Sequence, residues 1–331
     1  MTVLDASPQL TEHPFRTNGA AMRAMVVHEF GGRPEPADMP TPEPGPGSIQ
    51  IRIEAAGVNP YDRKLIDGIL DGKLPYDFPM IPGVDGAGTV SAVGPGAGAF
   101  AVGDRVAGKF LVPPIGHGTF AEFLTVPEDK ATTIPDEVTA LQAAALPTAG
   151  LTAQDLADAT GIDSGQLVLI NGAAGGVGSF LVQLAATAGA RVIATARPDD
   201  SDRMIRLGAT EVVDYTQAPV GDSVRFAHPD GVDVLFDLVS PAPQLADLTQ
   251  IVRPGGLVYS TIFAADEAEL RGRGLKGGNF ESTGGTTELR RLLQRVADGD
   301  VVVPIDAVRP LTDAPEVLGA SGARGKTVLV V

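Results

Sequence analysis

From Met22 onward, short apolar or alternating runs follow one another, separated by Gly and Pro. In SIQIRIEAAGV, Ile49, Ile51 and Ile53 fall on one face and Gln50, Arg52 and Glu54 on the other. That period of two belongs to a half-buried strand. GAGTVSAVG, GDRVAGKF and GTFAEFLTVP continue the pattern and predict a β-rich, barrel-like domain. Pro34, Pro36, Pro40, Pro42, Pro44 and Pro46 stand between two such runs and predict an extended edge loop.

Near Thr139 the rhythm changes. TALQAAALPTAGLTAQDLADA has helical patterning, and strands then alternate with helices: QLVLI, VGSFLVQLAATAG, RVIATA, SDRMIRLG, EVVDY, VDVLFDLV, APQLADLTQIV and GLVYSTIF. Such alternation predicts a doubly wound parallel sheet with crossover helices on both faces. ELRRLLQRVADG, VVVPIDAV and KTVLVV close the chain with a helix and short strands. Met1 to Ala21 is polar and aperiodic and is expected to form an extension ahead of the folded body.

Composition narrows the chemistry. The 331 residues, 44% of them hydrophobic, suffice for about two domains. The net charge of −16 disfavours nucleic acid and anionic membranes as partners. Cysteine is absent, which excludes disulfides, thiol nucleophiles and thiolate zinc sites. His13, His28, His117 and His228 show no ligand spacing, so no metal is expected. No apolar run approaches the roughly 20 residues of a membrane span, and the first residues lack a signal-peptide pattern. A cytoplasmic protein is expected.

INGAAGGVGSF, residues 170–180, lies between the strand QLVLI and a helix. Ala173, Gly175 and Gly178 occupy the three positions of GxGxxG, in the strand–turn–helix setting that the motif requires. A turn without side chains lets a dinucleotide pyrophosphate approach unpaired N–H groups at a helix start. The next strand ends on Ala196, followed by Arg197, where an NAD site would carry an acidic residue. A neutral residue and a cation there predict NADPH.

Taken together, GVNPYDRKLIDG, FPMIPGVDGAGTVSAVG, GDRVAG, GTFAEFLTVP, AAALPTAGLTA, the glycine turn, VRPGGLVYST and GKTVLVV resemble the medium-chain dehydrogenase/reductases. Within them the chain is most similar to the zinc-independent quinone oxidoreductase, or zeta-crystallin-like, and enone reductase branch. The resemblance implies a GroES-like catalytic domain over residues 22–145 and 284–331, and a Rossmann NADPH-binding domain over 146–283. It also implies a homodimer. Asn59 and Pro60, and Gly83 to Asp85, stand where the zinc alcohol dehydrogenases of the superfamily carry a Cys and a His-Glu pair.

By the same resemblance, Asn59, Thr148 and Thr152 approach the nicotinamide half of the cofactor. Ala174, Gly175, Gly176 and Val177 cradle the pyrophosphate. Ala196, Arg197 and Tyr215 lie at the adenosine phosphate, while Leu238, Val239 and Ser240 with Thr261, Ile262 and Phe263 line the cofactor from later strand ends. Gly325 and Lys326 reach back to the cleft. The candidate catalytic residues are Lys64, a cation for developing enolate charge, Tyr61, a proton donor or pocket wall, and Asn59. The implied activity is hydride transfer from NADPH to a small electrophilic acceptor, a quinone or an α,β-unsaturated carbonyl. A biosynthetic tailoring enzyme on the same scaffold and a non-catalytic NADPH-binding protein are the alternatives.

Overall fold

The computed structural model describes residues 16–320, 322 and 324–331. Leu167–Asn171 is buried along its whole length, so it needs cover on both faces and takes the centre of a parallel sheet. That six-stranded sheet runs in the order Glu211–Asp214, Arg191–Ala196, Leu167–Asn171, Val232–Asp237, Val252–Ser260 and Lys276–Asn279. The order reverses between the strands at Leu167 and Val232, the switch point at whose carboxyl ends sheets of this kind bind their ligands. This is the doubly wound sheet that the alternation predicts. Helix Pro147–Thr160 leads into it and ends on Gly161, whose left-handed φ of 56° glycine adopts without a Cβ clash.

A seven-stranded sheet forms the second lobe, in the order Ile305–Pro310, Lys326–Val330, Ser48–Gly57, Asp85–Val93, Arg105–Lys109 and Thr132–Thr133, with Phe123–Pro127 also pairing to Ser48–Gly57. Ile49, Ile51 and Ile53 are all buried, as their period of two requires. The last strand places Val328, Leu329 and Val330 opposite Gly57, Ala56 and Ala55. The C-terminal segment thus folds back beside the start of helix Pro60–Ile66.

The proline-rich stretch differs from the expected loop. Pro36, Pro40 and Pro42 lie inside the strand Glu35–Glu43, which pairs antiparallel with Arg16–Val26. Among the described residues Glu35–Glu43 pairs with no second strand, so a residue without an N–H costs little on its outer side. The ribbon begins at Arg16, ahead of Met22; residues 1–15 of the expected extension lie outside the described residues.

Candidate functional site

The glycine turn closes on itself through Gly175 N–H donating to Gly172 O at 3.1 Å, and helix Gly176–Thr187 starts at once. A Cβ on Gly178 would stand 2.4 Å from Gly172 O, so only glycine lets the helix pack this close to the strand end. A Cβ on Gly175 would meet nothing nearer than Gly172 O at 3.4 Å; that face of the turn is open. Among the described residues, the N–H groups of Gly176, Val177 and Gly178 have no backbone acceptor. They form an anion cradle at a helix start. Beneath it, Arg203 donates to Ala174 O at 2.9 Å, Ser179 Oγ at 3.1 Å and Asp200 Oδ1 at 3.1 Å. The sequence reading missed this support, because an arginine inside a short helix gives no local signal.

Ala196 is buried at the end of its strand, and the exposed Arg197 follows. Its Nε donates to the hydroxyl of Tyr215 at 3.1 Å, which brings together two of the expected adenosine-side residues. Arg324 joins its own segment to the same loop by pairing with Asp199 and with Asp200 at 3.4 Å.

The carboxyl ends of the central strands are locked by buried polar groups. Asp237 Oδ1 accepts the N–H groups of Val239 and Ser240 at 2.9 and 2.7 Å. Asn171 Nδ2 donates to Ser240 Oγ at 2.8 Å, and Thr195 Oγ1 donates to Asn171 Oδ1 at 3.1 Å. Leu238 and Thr261 are tied in by their own N–H groups, to Asn171 O and Asp237 O. Above this floor Val239, Ile262 and Phe263 are exposed apolar side chains, and Phe263 holds a φ of 63°. An apolar rim over a polar floor is the usual form of a ligand crevice.

Beside the glycine turn lies a buried polar junction. Asn59 caps helix Pro60–Ile66, and its N–H donates to Asp62 Oδ2 at 2.7 Å. Asp62 Oδ1 accepts from Val84 N at 3.0 Å. Asn59 Nδ2 donates to Asp85 Oδ2 at 2.9 Å, and Asp85 also accepts the N–H and the hydroxyl of Thr148 at 2.9 and 2.7 Å. Lys326 Nζ donates to Val58 O at 2.8 Å and to Asn59 Oδ1. Asn59, Thr148 and Lys326 therefore converge; Asp62, which the sequence did not single out, and Asp85, noted above only as standing at a replaced zinc-ligand position, complete the junction. Thr152 turns its hydroxyl back to Thr148 O at 2.7 Å. A Cβ on Gly176 would lie 3.0 Å from Lys326 Cδ and 3.6 Å from Gly325 O, so junction and cradle adjoin.

Burial pushes the Asp62 carboxyl up to about 7, against the two N–H groups it accepts, with Asp85 adding to the rise. Burial pushes the Lys326 ammonium down, opposed by Asp85 and Asp62. This donor set does not suit zinc. It contains neither thiolate nor imidazole, and an ammonium is already hydrogen-bonded to Asn59 Oδ1. Among the described residues no helix is long and apolar enough to cross a membrane.

Tyr61 is half-buried beside Lys109, and burial, then the charge of Glu281, push its phenol up. Lys64, one turn along the same helix, is exposed and makes none of the junction's contacts. His117 binds Asp77 Oδ2 at 3.1 Å.

The alcohol dehydrogenase GroES-like domain family matches residues 45–136, and the zinc-binding dehydrogenase family matches residues 176–289. The chain is 35% identical to the chloroplastic quinone-oxidoreductase QR1 of Triphysaria versicolor over 68% of its own length and 70% of the relative's. It belongs to the medium-chain dehydrogenase/reductases. This oxidoreductase family also includes the chloroplast envelope quinone oxidoreductase homolog of Arabidopsis thaliana, 38% identical over 62% of this chain. There the match spans 65% of the relative, just under two thirds of its length. The structure of mycobacterial Rv1454c complexed with NADPH superposes on this dehydrogenase/reductase with a TM-score of 0.82, at 29% identity, over 94% of this chain and 100% of that one. Within the family the chain falls in the quinone oxidoreductase branch. The zinc named in the second match has no suitable ligands at the junction.

Proposed function

We propose that this dehydrogenase/reductase is an NADPH-dependent reductase of quinones or α,β-unsaturated carbonyls. The observation that carries the reading is the nearness of the glycine cradle to the lysine-centred junction, where a Cβ on Gly176 would lie 3.0 Å from Lys326 Cδ. It joins a pyrophosphate site to the place where a nicotinamide is expected. When bound, NADPH supplies a hydride to an acceptor.

The chain's own residues have distinct tasks in this reading. The N–H groups of Gly176, Val177 and Gly178 would hold the pyrophosphate. Arg197, steadied by Tyr215, would hold the additional phosphate of NADPH. Thr148 donates its hydroxyl hydrogen bond to Asp85, so toward a bound ring its oxygen would offer lone pairs only. Val239, Ile262 and Phe263 would line the bound cofactor with apolar surface from the strand ends. A conjugated acceptor spreads the charge that develops on its oxygen, whereas alcohol oxidation gains most from an open Lewis-acid position. The names of the quinone oxidoreductase relatives and the NADPH complex of the mycobacterial neighbour support the same assignment.

The test is anaerobic NADPH oxidation with 1,4-benzoquinone and with a short alkenal, beside NADP+ reduction by an alcohol. Turnover of either electrophile, faster with NADPH than with NADH, is the expected result. Alcohol oxidation that outpaces both, or a preference for NADH, overturns the reading.

A further inference from the structure

We infer that Lys109, rather than Lys64, is the cation that meets the oxygen of the acceptor; the inference rests on the reductase reading above. Lys109 ends the strand Arg105–Lys109 and stands directly opposite Asp85 in the antiparallel pair. Residues opposite one another share a face of the sheet. Asp85 turns its carboxylate to Asn59 and Thr148, so the Lys109 side chain rises on the same side, beside the junction. The hydrogen bond from Phe110 N to Val84 O, 2.6 Å long, fixes the strand end that carries it.

The half-buried Lys109 holds its Nζ 5.9 Å from the centre of the Tyr61 ring, within cation–π range. Tyr61 in turn feels the charge of Glu281, which follows the outermost strand of the parallel sheet, Lys276–Asn279. The ammonium thus stands where the two lobes face each other. Among the described residues it has neither a hydrogen-bond acceptor nor a carboxylate within ion-pair distance. Lys326, the other lysine at this place, is committed to Val58 O and Asn59 Oδ1. Lys64 is exposed outside the junction.

In the reaction, a hydride carries one proton and two electrons from the reduced nicotinamide to the acceptor carbon. The acceptor's π pair shifts onto its carbonyl oxygen. Lys109 donates an N–H to that oxyanion, a proton from solvent completes the neutral product, and NADP+ remains. A positioned donor at a developing oxyanion is worth about 100-fold or more in rate.

The experiment compares Lys109→Met, Lys109→Gln, Lys109→Arg and Lys64→Met. Its readouts are kcat/KM for 1,4-benzoquinone, NADPH affinity from quenching of the nucleotide's fluorescence, and absorbance titration of 4-nitrophenol bound in the presence of NADP+. The neutral variants at Lys109 should lose about 100-fold in kcat/KM with NADPH affinity within about two-fold, and Lys109→Arg should recover part of the loss. Bound 4-nitrophenol should ionise at lower pH than the free phenol, and this shift should vanish without Lys109. Loss confined to Lys64→Met, or NADPH affinity falling as far as kcat/KM at Lys109, overturns the assignment. If the unaltered protein turns over no electrophile, the reductase reading fails; a 4-nitrophenol shift that depends on Lys109 would still sustain an anion site there, and its absence would refute that site.

Discussion

At the junction, Asp62 and Asp85 are fully buried and Lys326 is 3% exposed, whereas on the far side of the glycine turn Arg197 and Tyr215 meet in solvent through one 3.1 Å bond. Charges shut away from water interact strongly and must be matched, while charges in solvent are screened within about 10 Å. A lost charge at the first end is therefore felt by the fold; at the second it is felt by the ligand. The glycine turn lies between the two and belongs partly to each.

Lys326→Met leaves two buried carboxylates without their cation and should cost about 3–5 kcal/mol in urea unfolding. A loss below about 1 kcal/mol would show that the junction admits water and resembles the surroundings of Arg197. Titration of Asp62 probes the same region. Its carboxyl is raised from 3.8 to about 7, so its contribution to stability is complete below 3.8 and is lost as pH rises through about 7. Relative to Asp62→Asn, the unaltered protein should therefore lose stability, on the order of a few kcal/mol, between about pH 4 and about pH 8. A constant difference in unfolding free energy across that window would remove the raised value. Lys326, lowered by burial, acts in the opposite sense: its contribution is complete above 10.5 and is lost as pH falls through its folded-state value.

The turn should respond in two ways. Gly178→Ala forces a Cβ against Gly172 O and should cost about 1–3 kcal/mol. Gly175→Ala has room and a φ of −77°, so unfolding should change by less than about 0.5 kcal/mol while NADPH affinity falls about ten-fold as the methyl enters the cradle. Equal effects on stability would abolish the division between the two faces of the turn. Arg197→Ala should weaken NADPH by about five-fold, leave NADH nearly unaltered, and do so less in high salt. Loss of both nucleotides alike would make Arg197 a general contact rather than one for the extra phosphate.

Much of this layout is legible in the chain. QLVLI announces a strand covered on both sides, and the turn after it announces a helix start with unpaired N–H groups. Asn-Pro-Tyr-Asp at residues 59–62 is a readable helix start, with a cap, a proline at the first position and a carboxylate that returns to the cap N–H. Its second carboxylate oxygen, bonded to Val84, depends on a strand pairing that spacing does not reveal. The same holds for Lys109, which only the register with Asp85 brings beside the junction. Lys276–Asn279, with two consecutive glycines and no β-branched residue, lacks every local strand signal and is a strand because Val252–Ser260 offers it an edge. The prolines erred toward a loop because an unpaired edge tolerates what a central strand excludes.

Phe263 combines a left-handed backbone with a side chain that is 60% exposed. Outside glycine, that conformation costs on the order of 1 kcal/mol or more. Selection for heat tolerance in the absence of nucleotide would accordingly favour Phe263→Gly, which relieves the backbone and removes an exposed ring. The same replacement takes away apolar surface that a nucleotide would cover. Variants ranked by melting temperature without ligand and again with saturating NADPH should exchange places at this position, so a stabilisation programme run on the empty protein would select against its own ligand.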